Sequence, residues 1–480
     1  MTLPPAPALP PAPAPPPTPA PPPTPAPAPS PAPRQAVEAL PALPALPALA
    51  ALPAPDLDGL PQVTRRLAAT AGEYDRTGAF PASGIRAVYE AGLLTATVAG
   101  RHGGPGLGVA DTARILAALG EGDPATALIT LMTLNVHTLQ ARRPHWPERL
   151  YGEVLARAAV EPVLLNNARV EPELGSPARG GLPATTARRT ARGWALSGAK
   201  RFVTGAEGLT WYLVWAATDE PEPRVGTFAV PGDAPGIEIT RRWDHLGLRA
   251  SGSHDIAFHD VEIPADHLVG AAPHGPAAAQ DNRAGAPLHL PLAALYLGVG
   301  RAAQRYFTRF AHERIPANLG HPVARTERFR QAAGEIQLLL DSAEQLVLGG
   351  ARRVDRADPT YTPEQALGAR ILATRHATTA VRSALRLLGN PGLSRDNPLE
   401  RHFRDIQCAP VHAPQEDTAL LAIGAAALEE WAEDAPGRPP APPPVAPLSP
   451  AAPPPVASPS ASSVVPPPDR TSPQPTEEPT

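Results

Sequence analysis

Between residues 57 and 157 apolar side chains recur every three or four positions: Leu60, Val63, Leu67 and Ala71, then Ile85, Val88, Tyr89 and Leu93, then Ile115, Leu116 and Leu119. That period places each set on one helix face, so the region predicts a packed helical domain. A glycine-rich run, Gly100-Arg101-His102-Gly103-Gly104-Pro105-Gly106-Leu107-Gly108, interrupts it. No strand precedes the run and no Lys-Ser/Thr pair follows it, so neither phosphate-loop pattern fits. The expectation is an interhelical turn that needs positive φ. From about residue 161 to 269 the rhythm changes to short alternating runs, Trp211 to Ala216, Gly226 to Val230, Ile237 to Thr240 and Asp255 to Val261. These predict a β domain, a small barrel or sandwich. Within it Trp194 and Leu196 alternate before Gly198, and Phe202 and Thr204 after it, which predicts a hairpin turning at Gly198. From Pro287 to Glu433 the helical period returns. Leu292, Leu295, Val299, Ala303 and Phe307 share one face, and Ile336, Leu339, Leu340, Ala343 and Leu346 the next. Residues 366–388 and 418–431 supply two more helices, and four long helices with short links predict a bundle. The expected class is α+β, mainly α. An N-terminal helical domain (56–158) precedes a middle β-barrel or sandwich domain (159–275) and a C-terminal four-helix bundle (285–433).

Composition changes this picture at both ends. Residues 1–55 hold 23 of the 68 prolines and residues 436–480 another 18. Such Pro/Ala-rich stretches carry too little apolar surface to offset the entropy of ordering, so both tails are expected to be disordered or polyproline II-like. A proline every third residue also forbids a spanning helix in the apolar run 39–55. The N-terminus shows no basic region followed by an apolar core, so no secretory signal is expected. One cysteine, Cys408, fits a reducing, cytoplasmic setting. A net charge of −4 with mixed signs gives no footprint for nucleic acid or anionic membrane. The fourteen histidines show no zinc-ligand spacing, so no metal is expected. Ser197-Gly198-Ala199-Lys200 is formally S-x-x-K but has no partner motifs for a serine nucleophile.

Three segments carry the candidate chemistry in order: Val170-Glu171-Pro172-Glu173-Leu174-Gly175-Ser176, Gly198-Ala199-Lys200-Arg201-Phe202-Val203-Thr204, and Leu246-Gly247-Leu248-Arg249-Ala250-Ser251. With these the chain resembles the acyl-CoA dehydrogenase superfamily of flavoproteins, which carries T-E-P-x-x-G-S-D, G-x-K-x-(W/F)-I-T and L-G-x-R-x-S in this order. The resemblance covers roughly residues 57–433. It implies FAD as cofactor, with FMN as the alternative, and an acyl thioester or related small molecule as substrate. It also implies an electron-transfer or flavin-reductase partner and a homodimer or homotetramer. By the same resemblance Val170, Glu171 and Ser176 contact the flavin, Phe202 lies against its ring, and Thr204 reaches N5. Pro177 stands where the family has Asp. In Tyr306 to Arg314, similar to the family's Y-A-x-x-R, Arg314 serves the diphosphate of a neighbouring subunit's FAD. Gly392 in Gly389-Asn390-Pro391-Gly392 matches the family's G-G-x-G.

One departure bears on the reaction. Arg401-His402-Phe403-Arg404-Asp405 resembles the family's R-x-x-R-D, which leads into a motif whose Glu removes the α-proton of the thioester. Counted on from Arg404, that place holds Ala413, and the alternative place on the first bundle helix falls near Leu288. Neither side chain can take a proton. The adjacent His412 is similar in position to a histidine of dibenzothiophene monooxygenase-like relatives, where it stands by the flavin at the site of oxygen activation. Three readings stay open: an acyl-CoA dehydrogenase-type flavin oxidoreductase with another base, a flavin-dependent monooxygenase with His412 near the flavin, and a non-catalytic flavin- or acyl-binding protein.

Overall fold

The computed structural model describes residues 51–174, 181–273 and 285–434. The Pro-rich stretches 1–50 and 435–480, and with them most of both expected tails, lie outside the described residues, as does Ser176.

Among the described residues five α-helices come first: α1 (Leu60–Thr77), α2 (Ala82–Glu90), α3 (Val109–Gly122), α4 (Pro124–Arg142) and α5 (Glu148–Ala158). The predicted faces are the buried ones, Val63, Leu67 and Ala71 on α1 and Ile115, Leu116 and Leu119 on α3. Helix α4 is buried nearly all round, as expected of a helix whose apolar residues form no stripe. Its N-cap, Asp123, accepts from the amides of Ala125 and Thr126, each at 3.2 Å. The glycine-rich run forms the interhelical turn, with Gly103 at φ +75° and Gly106 at φ +66°.

The middle region is one eight-stranded mixed sheet of β1 (Leu165–Ala168), β2 (Thr186–Arg189), β3 (Gly193–Val203), β4 (Trp211–Thr218), β5 (Arg224–Pro231), β6 (Ile237–Thr240), β7 (His254–Pro264) and β8 (Leu268–Pro273). The strands run in the order β6-β7-β3-β2-β4-β5-β8, with β1 paired in parallel to β4. The hairpin expected at Gly198 is absent. Residues 193–203 form the single strand β3, paired antiparallel to β7 with register shifts between Leu196 and Gly198 and between Lys200 and Val203. A glycine inside a strand marks a bulge as readily as a turn. Here Gly198 sits at φ +146°, and a Cβ on it would fall 2.6 Å from the Cα of Thr185.

The C-terminal bundle comprises α6 (Leu290–Glu313), α7 (Glu327–Asp355), α8 (Pro363–Leu388), the short α9 (Pro398–Ile406) and α10 (Glu416–Asp434). Thr326 caps α7, and Thr362 with Gln365 forms a capping box on α8. Val299, Ala303 and Phe307 of α6 join Ile336, Leu340 and Ala343 of α7 in the main core, which also takes in the helical domain and the inner face of the sheet.

Helix α9 is the junction. Arg404 donates to both carboxylate oxygens of Asp75 on α1 and to the carbonyl of Leu246 at 3.1 Å. Asp405, buried, accepts the amide of Leu248 at 2.7 Å. Gly247 lies so close that a Cβ there would meet the Arg404 carbonyl at 2.4 Å.

Two buried histidines make the fold acid-sensitive. Burial pushes His137 down to about 4 and His402 to about 3, the latter helped by Arg401. Both stay neutral in the fold but protonate near pH 6.5 once unfolded. Their contribution to stability is therefore complete above pH 6.5 and is lost as pH falls from there toward 4. The unfolding temperature is expected to drop steadily from pH 7 to pH 4.5, with a shallower slope in His137→Phe. An unfolding temperature that is flat over that range would contradict this.

Candidate active site

The first two sequence motifs meet in one buried ion pair. Lys200 Nζ lies 2.7 Å from Glu171 Oε1, with both side chains buried. Glu171 also accepts from the amides of Ala184 (2.8 Å) and Thr185 (3.0 Å), and Lys200 donates to the Trp215 carbonyl. Burial works to raise the Glu171 carboxyl, but the hydrogen bonds from Lys200 and Thr185 hold it below the usual carboxylate range. Burial lowers Lys200 to about 8, with Glu171 opposing. The pair is charged at neutral pH, and it locks the Val170–Glu171 segment onto β3, where the Val170 carbonyl accepts from the Arg201 amide at 2.9 Å. The Glu171 carboxylate is thus fully engaged. This lysine also disposes of the S-x-x-K coincidence.

Two residues further on, β3 presents an aromatic. Phe202 sits at φ +57° and is 46 % exposed. A bulky residue held at positive φ stores strain, and such strain clusters at ligand sites. Its ring stands edge-on to Trp243 (6.4 Å) and His245 (6.0 Å), which stack on each other at 3.5 Å, and the Arg201 guanidinium lies 5.0 Å from its centre. Thr204 then turns inward. Its hydroxyl is 3.0 Å from Ser253 Oγ, which is 2.9 Å from Ser251 Oγ, a chain of three buried hydroxyls.

The bundle side is built around His412. Its Nε2 lies 2.6 Å from the hydroxyl of Tyr296, a fully buried residue of α6. Buried Arg370 of α8 donates to the carbonyls of His412 and Pro414, each at 2.9 Å, and so clamps the loop on both sides of residue 413. Burial, with Arg370 adding to it, lowers His412 to about 4. Burial raises the Tyr296 hydroxyl well above its ordinary value. His289, just before α6, is lowered to about 3 by burial and then by Arg370 and His412. At neutral pH the cluster therefore holds two uncharged imidazoles, a phenol and one buried cation. Ala413 is exposed. Of the carboxylates nearby in sequence, Asp405 is engaged by the Leu248 amide and Glu416 by Arg375, and exposed Asp417 accepts from the amide and hydroxyl of Thr418 at the start of α10.

The structure brings Val170, Glu171, Phe202 and Thr204 together on and beside β3, and joins that edge to the bundle through Asp405 and Leu248. Arg314 stands apart and exposed just past α6, beside exposed Ile315. Gly392 is buried in a single helical turn, where a Cβ would meet the Leu385 carbonyl at 3.0 Å, so it packs against α8. Gly389, at φ +66° with open space around it, is the glycine of that pair whose backbone a ligand can approach. Sequence reasoning missed Tyr296 and Arg370. The signal for the second was present, an arginine inside the small-residue stripe Ala366, Ala369, Ala373, Ala377.

Comparison with known proteins agrees with these features. Family models described as acyl-CoA dehydrogenase N-terminal, middle and C-terminal domains match residues 62–141, 168–261 and 290–416. The protein YdbM of Bacillus subtilis (strain 168), named for that family, is 33 % identical over 376 residues, 78 % of this chain and 96 % of YdbM. The chain belongs to the acyl-CoA dehydrogenase family. Among solved structures, KijD3 in complex with FMN and dTDP-3-amino-2,3,6-trideoxy-4-keto-3-methyl-D-glucose superposes with a TM-score of 0.67 at 29 % identity, covering 78 % of this chain and 93 % of that one. A nitrososynthase from Micromonospora carbonacea var. africana gives 0.66 at 25 % identity, covering 79 % and 99 %. Members of this family are flavoproteins, and flavin, FAD or FMN, is the cofactor. The residues present fit one. Phe202 offers an exposed aromatic surface to a flat ring, and Thr204 heads a hydroxyl chain able to donate to a ring nitrogen.

Removing one partner of the Glu171–Lys200 pair strands a buried charge. Lys200→Ala is expected to lower unfolding free energy by about 3–5 kcal/mol, and Lys200→Met combined with Glu171→Gln to restore part of it. Urea denaturation measures both. Equal losses in the single and double variants would show that the two charges are not coupled.

Proposed function

We propose that this protein is a flavin-dependent oxidoreductase of the monooxygenase type, acting on a small molecule with an oxidisable heteroatom, and not an α,β-dehydrogenase of acyl thioesters. One observation carries the reading. The loop position that would bear the thioester base holds a methyl group, while the neighbouring imidazole is part-buried, uncharged and tied to a buried phenol. Dehydrogenation of a thioester begins with loss of an α-proton, and a carboxylate is the group suited to take it. Here the Nε2 of His412, the nitrogen a base would use, is already hydrogen-bonded to the hydroxyl of buried Tyr296. The nitrososynthase among the structural neighbours, named for forming an oxidised nitrogen, supports oxygen chemistry, and KijD3 in complex with FMN and a dTDP-linked amino sugar supports a flavin acting on a small molecule with a heteroatom.

Reduced flavin, when bound, supplies the electron pair and the place where dioxygen reacts. The protein's own residues supply the rest. Phe202 backs the ring, and Thr204 presents a hydroxyl along its edge. Arg370, through two loop carbonyls, fixes the backbone that carries His412. Tyr296 keeps its proton across the working pH range and shares a short hydrogen bond with His412 Nε2, which sets the imidazole's orientation. So held, the pair can donate a hydrogen bond to negative charge developing on an oxygen beside the ring, in a site already polarised by Arg370. The electrons would come from a flavin reductase. Arg314, exposed and free of ion-pair partners among the described residues, remains available to the diphosphate of FAD on a second subunit.

The 33 % identity to YdbM supports a second reading, thioester dehydrogenation with a displaced base. The two readings separate on paired substitutions. Under the first, His412→Ala lowers product formation by roughly 10²–10⁴-fold with flavin binding unchanged. Under the second, Ala413→Glu creates or raises bleaching of the flavin by acyl-CoA. Wild-type turnover in the His412 variant would sink the proposed reading.

A further inference from the structure

Both surfaces offered to a flavin ring, Phe202 and Thr204, trace back to one residue of the loop that follows β6. Leu248 is buried and sits in the left-handed region at φ +52°, a conformation its side chain opposes. Its carbonyl accepts from Trp243 Nε1 and from the Ser251 amide, each at 2.9 Å. Trp243 carries His245 stacked on it, and both rings meet Phe202 edge-on. The Ser251 carbonyl accepts from the Gly205 amide at 2.8 Å, and its hydroxyl opens the chain that runs through Ser253 to Thr204. An unbroken series of contacts thus joins Leu248 to the aromatic and to the hydroxyl.

What holds Leu248 belongs to the bundle. Its amide donates to Asp405 Oδ1 at 2.7 Å, and the residue before it, Gly247, is pressed against the Arg404 carbonyl. An ionised acceptor makes such a bond roughly twice as strong as a neutral one. The charged and titratable groups around this buried carboxyl come from three sides: Arg401 and Arg404 on α9 with Cys408 just after it, Asp75 on α1, and Tyr296 on α6. Arg404 is engaged by Asp75 and Glu400. Burial outweighs the Leu248 amide and the two guanidiniums, and the carboxyl is raised to about 7.

We propose that Asp405 is a positioning residue for the flavin, a latch that fixes Leu248 and the ring platform behind it when ionised and slackens it when protonated. A proton on the carboxyl takes the charged acceptor away from the Leu248 amide, and the unfavourable φ of that residue then favours relaxation of the turn. The event is felt on the other side as well. Burial, Cys408 and the Asp405 charge all hold the proton on Tyr296, so a neutral Asp405 leaves the phenol a readier hydrogen-bond donor to His412. The proposal rests on Phe202 and Thr204 meeting the flavin, and not on the reaction that follows.

The test follows hydrogen exchange of residues 243–252 in the full-length, flavin-loaded protein from pH 6 to pH 8, with the visible circular dichroism of the bound flavin read on the same samples. Protection, taken relative to an unstructured chain at each pH, is expected to fall on the order of tenfold from pH 8 to pH 6. The flavin band should change with the same midpoint. Asp405→Asn, neutral throughout, should show the low-pH protection and band at every pH. Arg401→Gln removes a cation that favours the ionised form and should move both midpoints to higher pH; it keeps the test decisive if the Asn variant does not fold. A wild-type loop whose protection is constant over this range overturns the proposal, as does a midpoint indifferent to Arg401→Gln. A loop that titrates beneath an unchanging flavin band also overturns it, because Asp405 would then brace the loop without positioning the cofactor. Each outcome is read without turnover, so it stands apart from loss of product in the His412 variant.

Discussion

The arrangement hangs on two adjacent residues of α9. Arg404 and Asp405 face different parts of the molecule: the guanidinium holds Asp75 at the end of α1 and the Leu246 carbonyl, and the carboxylate holds the Leu248 amide. One helical turn thus fastens the helical domain, the sheet and the bundle to one another. The loop it grips pays in conformation, with Leu248 at φ +52° and no room for a side chain at Gly247. Burial raises the Asp405 carboxyl to about 7, so the clamp itself sits near its titration point at physiological pH. The edge that presents Phe202 and the loop that presents His412 both hang from this joint, and their relative position is only as firm as those bonds.

Most of the fold was legible because its periods are plain. The faces of α1, α3, α6 and α7 could be read from spacing, and the family motifs fixed the order of the three parts. The hairpin at Gly198 could not be settled that way. A glycine in an alternating run is compatible with a turn or a bulge, and only the close approach of Thr185 decides between them. The candidate site was legible in fragments. The motif lysine and glutamate could each be picked out, but their partnership is a contact between residues 29 apart in sequence and leaves no periodic trace. Tyr296 was hidden by its surroundings, since a tyrosine among leucines and alanines on a buried face looks like any core aromatic until its hydroxyl is followed to a partner.

The family's fold is retained while the loop that defines its best-known reaction is altered. On the proposed reading Ala413 stands where the base would be, but the backbone around it is not slack, because Arg370 binds the carbonyls of His412 and Pro414 and Tyr296 anchors the imidazole. A vacated site would not need so many buried polar groups to be satisfied. On the proposed reading, those paired groups mark a site turned to different chemistry and not one that has lost its function.

That distinction can be put to one measurement. The flavin-loaded protein, oxidised and kept free of oxygen, is titrated with a series of acyl-CoAs of increasing chain length while the visible flavin band is followed. If His412 and Tyr296 serve oxygen chemistry and no base stands at residue 413, the band persists through the whole series, and after chemical reduction it returns promptly on admitting air. Bleaching by any acyl-CoA without oxygen would contradict the assignment and place the protein among the dehydrogenases, with a base yet to be found.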